Sequence, residues 1–185
     1  MIALFLALSA AAAPRDVRVG LGGMAEAWSD ASISGVYKSG SLSGGGLIAV
    51  DILGPLSAVA RFSYKRLTPE TGAAPVFEVL PVTLAVEGHT ALGEGLQGFA
   101  DLGYSHVTWT ERGAQTSLRG ARPMGELDIG LRWDLGLSQP AMAPAAGRTT
   151  PVVELEVLLG RRQGFGKEGF DLSAWRGGAA AVARF

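Results

Sequence analysis

Glu126-Leu127-Asp128-Ile129-Gly130-Leu131-Arg132-Trp133-Asp134-Leu135 is the stretch on which the fold turns. Leu127, Ile129, Leu131, Trp133 and Leu135 occupy alternate positions, and Glu126, Asp128, Gly130, Arg132 and Asp134 occupy the others. Successive side chains of a strand point to opposite faces, so this is a ribbon with one apolar face and one charged face. From residue 16 onward no apolar stripe of helical period persists for three turns, while alternation at period 2 recurs. The spacing predicts an all-β domain with strands near 16–28, 42–53, 56–66, 76–88, 96–109, 124–137, 151–161 and 171–185, eight in all. An open sheet of that size exposes two edges, and closing it into a barrel removes both.

Turn signals separate these segments. Gly54-Pro55, residues 91–95 and the Pro/Ala-rich stretch 138–147 fall on one side if the strands run up and down. The connections 29–41, 68–75, 110–123 and 162–170 fall on the other, away from both termini. Short turns at one end and longer loops at the other suit an antiparallel up-and-down transmembrane barrel. The connection 110–123, with Glu111, Arg112, Arg119 and Arg122, is the longest of the loops and can extend the fifth and sixth strands as a ribbon.

Composition narrows the field. The chain has 185 residues, 48% hydrophobic and 18% charged, with 27 glycines and no cysteine. That is room for one domain, without a disulfide framework, thiolate metal site or thiol nucleophile. Sixteen basic and 17 acidic residues nearly cancel, which leaves no electrostatic footprint for nucleic acid. Mean hydropathy is +0.25, yet the longest charge-free apolar run, residues 1–14, falls short of the roughly 20 residues a membrane helix needs. Residues 1–13 instead have the apolar core and small-residue end of a secretory signal peptide, which assigns 14–185 to the barrel.

Alternation alone does not say whether the apolar faces point to a core or to lipid. In the membrane reading they point outward, and the lumen receives Arg18, Glu26, Asp51, Arg61, Lys65, Glu87, Asp101, Glu126, Asp128, Arg132, Asp134, Glu154, Glu156, Arg176 and Arg184. Buried charges must pair, so a lumenal network that plugs the barrel is expected. In the alternative, a soluble secreted or periplasmic lipocalin-like barrel, the same charges are solvated and an apolar ligand fills the interior. Aromatic residues at strand ends favour the membrane reading, as girdles would: Phe62, Tyr64, Phe77, Tyr104 and Trp175 towards the loop end, and Trp133 and Phe185 towards the other.

The signal segment, the eight alternating stretches, the mixed lumenal charges and the closing Ala179-Ala180-Ala181-Val182-Ala183-Arg184-Phe185 together resemble the small outer-membrane β-barrels of Gram-negative bacteria, the OmpA-like and OmpX/Ail-like group. The resemblance spans the mature chain. It implies an outer-membrane location, contact with outer-membrane lipids and lipopolysaccharide, and a C-terminal Phe185 read by the barrel-assembly machinery. A monomer without metal or cofactor is expected. Some barrels of this class resemble lipid A hydrolases with a His and a Ser two apart on one strand. His106-Val107-Thr108 has that spacing with Thr in place of Ser; Ser105 points to the other face, and Glu111 or Glu126 would be the orienting carboxylate. The other histidine, His89, and the carboxylate pairs Glu126/Asp128 and Glu154/Glu156 read as ordinary polar positions. The expected role is structural or surface-interactive, with a lipid A-modifying enzyme as a third possibility.

Overall fold

The computed structural model describes residues 16–37, 42–69, 75–113, 116–136, 151–165 and 171–185. Strands β1 (Val17–Trp28), β2 (Leu42–Leu53), β3 (Leu56–Leu67), β4 (Val76–Gly93), β5 (Leu96–Arg112), β6 (Ser117–Asp134), β7 (Val152–Gly164) and β8 (Ala174–Arg184) form a closed antiparallel barrel in chain order. A short helix α1 (Ala31–Val36) follows β1. Closure is made by β1 on β8, in register from Arg18↔Arg184 to Trp28↔Ala174. The ring is sealed at its last residue, where Phe185 donates its N–H to the Val17 carbonyl (2.9 Å) and Val17 donates back to Phe185 (3.3 Å).

Two hairpin turns match their sequence signals. Gly54 and Gly95 sit at φ 53° and 69°, a region where a Cβ is strained, which is why glycine occupies both turns. The expected signal peptide and the whole of the 138–147 connection lie outside the described residues.

The faces fall as alternation requires. Val19, Leu21, Ile48, Phe62, Leu80, Val82, Leu84, Val86, Leu127, Ile129 and Leu159 are all exposed on the outer surface. Their alternate neighbours turn inward, and the buried set there includes Arg18, Arg61, Glu87, Glu126, Asp128, Arg132, Glu154 and Glu156. This distribution is the inverse of a soluble barrel, which keeps charge outside and apolar side chains within.

Three sequence expectations are corrected. First, strands β4, β5 and β6 run further than their apolar alternation, to Gly93, Arg112 and back to Ser117. The hairpin ladder continues to Arg112↔Ser117 through Gly120 and Pro123 and forms the ribbon that the 110–123 connection allowed. The Trp109 indole lies against Gly120, where a Cβ would collide with it, so the glycine is a packing site rather than a break. Second, the 29–41 connection contains α1. Third, Phe77 is not part of an outer girdle: it is 1% exposed and points inward. Its parity on β4 is that of Glu87, so strand geometry overrides its aromatic character.

Phe77 belongs to an apolar cork inside the loop end. Trp28, Ile33, Tyr37, Leu67, Val79, Val107, Met124, Leu172 and Ala174 complete it, with Trp109 packed against them. Phe77 lies 5.5 Å from the Tyr37 ring and 5.8 Å from that of Trp109. Helix α1 supplies Ile33, and Tyr37 bridges to Pro69, drawing two connections over the mouth. Phe77→Ala should therefore lower unfolding stability by about 3–5 kcal/mol, whereas Phe62→Ala on the outer face should cost clearly less. Urea unfolding of the refolded barrel in lipid vesicles distinguishes the two.

Candidate functional site

The feature of this barrel with chemistry in it is the charged column that fills the lumen. Six cations (Arg18, Arg61, Lys65, Arg132, Arg162, Arg176) and seven carboxylates (Glu26, Glu87, Asp101, Glu126, Asp128, Glu154, Glu156) are buried among the described residues. Arg184, half-buried at the mouth, donates to Glu154 at 3.1 Å and brings the count to seven of each sign. Equal numbers matter because an unpaired buried ion carries a desolvation penalty of several kcal/mol.

The column is continuous. At the terminus end Asp51 accepts from Ser57 (2.7 Å), and Arg18 donates to Ser57 (2.9 Å) and to Glu87 (2.7 Å). Glu87 also receives Arg132 (3.1 Å), which donates to Glu156 at 2.9 Å. At mid-height Arg61 lies 2.7 Å from Asp101 and 3.7 Å from Glu156. Next, Arg176 clasps Asp128 through two N–H groups and reaches Glu126 at 2.6 Å. Glu126 takes Arg162 at 2.6 Å and the Thr83 hydroxyl at 2.9 Å as well. Arg162 continues to Glu26 (2.9 Å), Glu26 lies 3.4 Å from the Lys65 ammonium, and Lys65 stands 5.0 Å over the Trp28 ring at the base of the cork.

Local sequence makes room for these long side chains. Strands β1, β2 and β8 turn Gly20, Gly22, Gly45, Gly178 and Ala180 towards the interior, and the cavity they leave borders Arg61, Arg162 and Arg176, which reach in from β3, β7 and β8. Gly130 plays a similar part across from Phe99: a Cβ would strike the ring, over which Arg132 lies at 4.9 Å.

Most residues singled out from the sequence meet in this column. Asp51 and Arg184 stand at its rim, the latter also 3.7 Å from Asp16. Asp134 does not join it. It is exposed, its side chain accepts from the Gly136 N–H (2.8 Å), and among the described residues no ion pair reaches it, because β6 has by then passed the mouth. Arg162 is the member the sequence reading missed: it falls just beyond the apolar run of β7 and looked like loop, although its parity matches Glu154 and Glu156. On the outside, Phe62, Tyr64, Tyr104, Trp133, Trp175 and Phe185 are exposed, and Phe165 joins them unforeseen. Tyr64 donates to Glu78 (3.0 Å), and Arg161 stacks on Trp175 at 5.1 Å. In the loops, burial foremost and then the Glu111 carboxylate that accepts its hydrogen bond (3.2 Å) push the Tyr37 phenol up to about 12.

His106 and Thr108, the pair with the hydrolase spacing, share no hydrogen bond among the described residues. His106 faces outward, and the Thr108 hydroxyl donates to the Leu80 carbonyl at 3.2 Å. Ser105 faces the lumen, as expected, and meets Thr83 there at 3.1 Å. The sequence reading did not foresee His89 near Ser57 and Asp51. There Nδ1 faces both Ser57 (3.5 Å) and Glu87 (3.8 Å), so one ring nitrogen would have to serve hydroxyl and carboxylate together, and a relay needs two.

An eight-stranded closed barrel with an apolar exterior, paired interior charges and an apolar cork has the architecture of the small transmembrane β-barrels. Comparison with known proteins agrees at the level of fold. The N-terminal β-barrel domain of Pseudomonas aeruginosa OprF is similar, at TM-score 0.54 and 13% identity over 91% of this chain and 97% of that one. Neisserial surface protein A (NspA) superposes at TM-score 0.56, with 10% identity over 92% and 95%. The attachment invasion locus protein Ail of Yersinia pestis does so at 0.53, with 10% identity over 92% and 97%. No protein-family model and no curated protein sequence matches the chain.

Glu126 ties two arginines into the network. Glu126→Ala takes one carboxylate from Arg162 and Arg176, which keep Glu26 and Asp128, leaves one buried positive charge in excess and should cost about 3–5 kcal/mol in urea unfolding, whereas Glu78→Ala, which removes a half-buried partner from Arg112 and Tyr64 (3.1 and 3.0 Å), should cost at most about 1 kcal/mol. Because column and cork together fill the lumen, the refolded protein in a planar bilayer should show no stepwise conductance.

Proposed function

We propose that the protein is an integral outer-membrane β-barrel, a monomer with a structural or surface-interaction role rather than a catalytic one. The observation that carries this reading is the inverted distribution of polarity: Leu, Val and Ile side chains cover the outside of a closed sheet whose interior holds fourteen charges in near-complete pairing. The space inside is bordered by Arg61, Arg162, Arg176 and Glu156 as well as by glycine and apolar side chains, and the paired charges around it disfavour an apolar ligand of the lipocalin kind. A sheet with no open edge between its first and last strands satisfies its backbone without water, as hydrocarbon demands.

The exposed aromatic residues serve as interfacial anchors in this reading. Beyond Tyr64 and Trp175, the arginines Arg66, Arg112 and Arg161 offer positive charge to lipopolysaccharide phosphates. Phe185, exposed at 50% and bonded to Val17 through its backbone, is the residue by which the assembly machinery would engage the final strand. Catalysis finds no support in His106 and Thr108, which turn to the lipid side.

Cell fractionation with a gel of heated and unheated samples tests the proposal. An outer-membrane band whose mobility changes on heating is expected, and a soluble periplasmic protein would overturn it. Deleting Phe185 should reduce the heat-modifiable form severalfold without altering synthesis, and undiminished insertion would remove the assigned role of that residue.

A further inference from the structure

The charged column is not packed solid at mid-height. A cavity of about 50 Å³ lies there beside Arg61, Arg162, Arg176 and Glu156, and β1, β2 and β8 wall it on the other side. Its origin is in that wall. Gly22 and Gly45 stand at inward positions where the neighbouring strand comes too close for a side chain. A Cβ on Gly22 would lie 2.2 Å from the Ala179 carbonyl oxygen, and one on Gly45 would lie 2.2 Å from that of Phe62. Here β1 and β2 therefore offer backbone where the strands opposite offer long side chains.

Arg61 gives the cavity its chemistry. The residue is 7% exposed, yet none of its three nitrogens has a hydrogen bond among the described residues. Asp101 is 2.7 Å away but out of line with the N–H bonds, and Glu156, Glu87 and Asp128 stand beyond direct reach at 3.7, 3.9 and 3.9 Å. The Glu156 Oε1 atom is likewise buried without a donor. Arg132, Arg162 and Arg176, by contrast, each donate to a carboxylate at 2.9 Å or less. Buried polar atoms without a partner are costly and rare, and these four border one cavity.

The mixture of donors and acceptor decides what fits. A halide would serve the guanidinium but sit against Glu156, and an alkali cation would serve Glu156 but face three arginines. Either would add an unpaired charge to a column already balanced at seven of each sign. An apolar guest would bond to none of them. Water both donates and accepts and carries no charge, and a polar cavity of this size holds about three molecules. Separations of 3.7 to 3.9 Å between guanidinium and carboxylate are ones that a water at the side bridges.

We propose that this cavity is a hydration site, in which Arg61 donates its hydrogen bonds to a small cluster of resident waters and Glu156 accepts from the same cluster. The column encloses it. Arg132, held by Glu87 and Glu156, lies towards the terminus end, and Arg162, Glu26 and Lys65 lie towards the cork. Exchange with bulk water is therefore slow. The inference concerns the interior alone, so its failure leaves the membrane assignment standing.

The experiment uses the full chain refolded in detergent micelles. Magnetic resonance of the wild type should show direct cross-relaxation between water and the Arg61 Nε–H, and this readout needs no variant to fold. Oxygen-17 relaxation dispersion of the solvent counts waters held longer than the particle tumbles. Ala180 lines the cavity from β8, so Ala180→Leu fills it and should lower that count by about three. Arg61→Met/Asp101→Asn removes one charge of each sign, keeps the column balanced and should lose the same waters with the heat-modifiable band retained. No water contact at Arg61, or equal dispersion in all three proteins, overturns the proposal. So does chloride-35 line broadening that disappears with Arg61, which would mark the occupant as an anion.

Discussion

Closure of β1 on β8 is the constraint from which the rest follows. Eleven residue pairs from Arg18↔Arg184 to Trp28↔Ala174 join the two ends of the chain, and with them the sheet loses its terminal edges. Only then does alternation acquire an inside and an outside for every strand at once. A closed sheet of eight strands encloses a space the width of its own side chains. The interior must therefore be filled by whatever the inward parity supplies, and here it supplies ions.

Filling a narrow lumen with charge is possible because the strands divide the labour. Strands β3 to β7 provide most of the long charged side chains, while β1, β2 and β8 contribute glycine and alanine at mid-height. Desolvated arginines and carboxylates repay their burial only in good geometry with further hydrogen bonds, and Glu126, held by Arg162, Arg176 and Thr83, meets that condition. The column links β1, β3, β4, β5, β6, β7 and β8 through side chains as well as through the backbone ladder. Such a network is weak evidence for stability relative to an apolar core, but it makes each of its members hard to remove singly.

The two ends of the barrel are finished differently. At the terminus end the column opens through Arg184, Asp51 and Asp16 to solvent. At the loop end Trp28, Phe77, Met124 and Leu172 replace it with an apolar cork, and Lys65 over Trp28 is the joint between the two regimes. A lumen closed in this way leaves the outer surface and the loop end as the places where the protein meets anything else.

Much of this was legible in the sequence, because a period of 2 is a direct statement about faces. Leu127, Ile129 and Leu131 against Glu126, Asp128 and Arg132 gave both the strand and its two environments, and eight such segments with turns at Gly54 and Gly95 gave the barrel. Legibility failed wherever an element outran its apolar alternation. Arg162 looked like loop because no alternating Leu or Val marked it, and a register set by neighbouring strands carried it into the ladder, while the ribbon that the 110–123 connection allowed on β5 and β6 is formed as far as Arg112↔Ser117. Phe77 looked like a girdle residue because its chemistry suggests an interface, yet its parity with Glu87 turns it inward. By itself the sequence determined the strands, their faces and the sign of the charges, since these depend on each residue and its immediate neighbours. Only the tertiary structure decided which arginine meets which carboxylate, that Asp134 stands outside the column and how far the ladder of β5 and β6 runs, because those depend on stagger between strands and on where each neighbour ends.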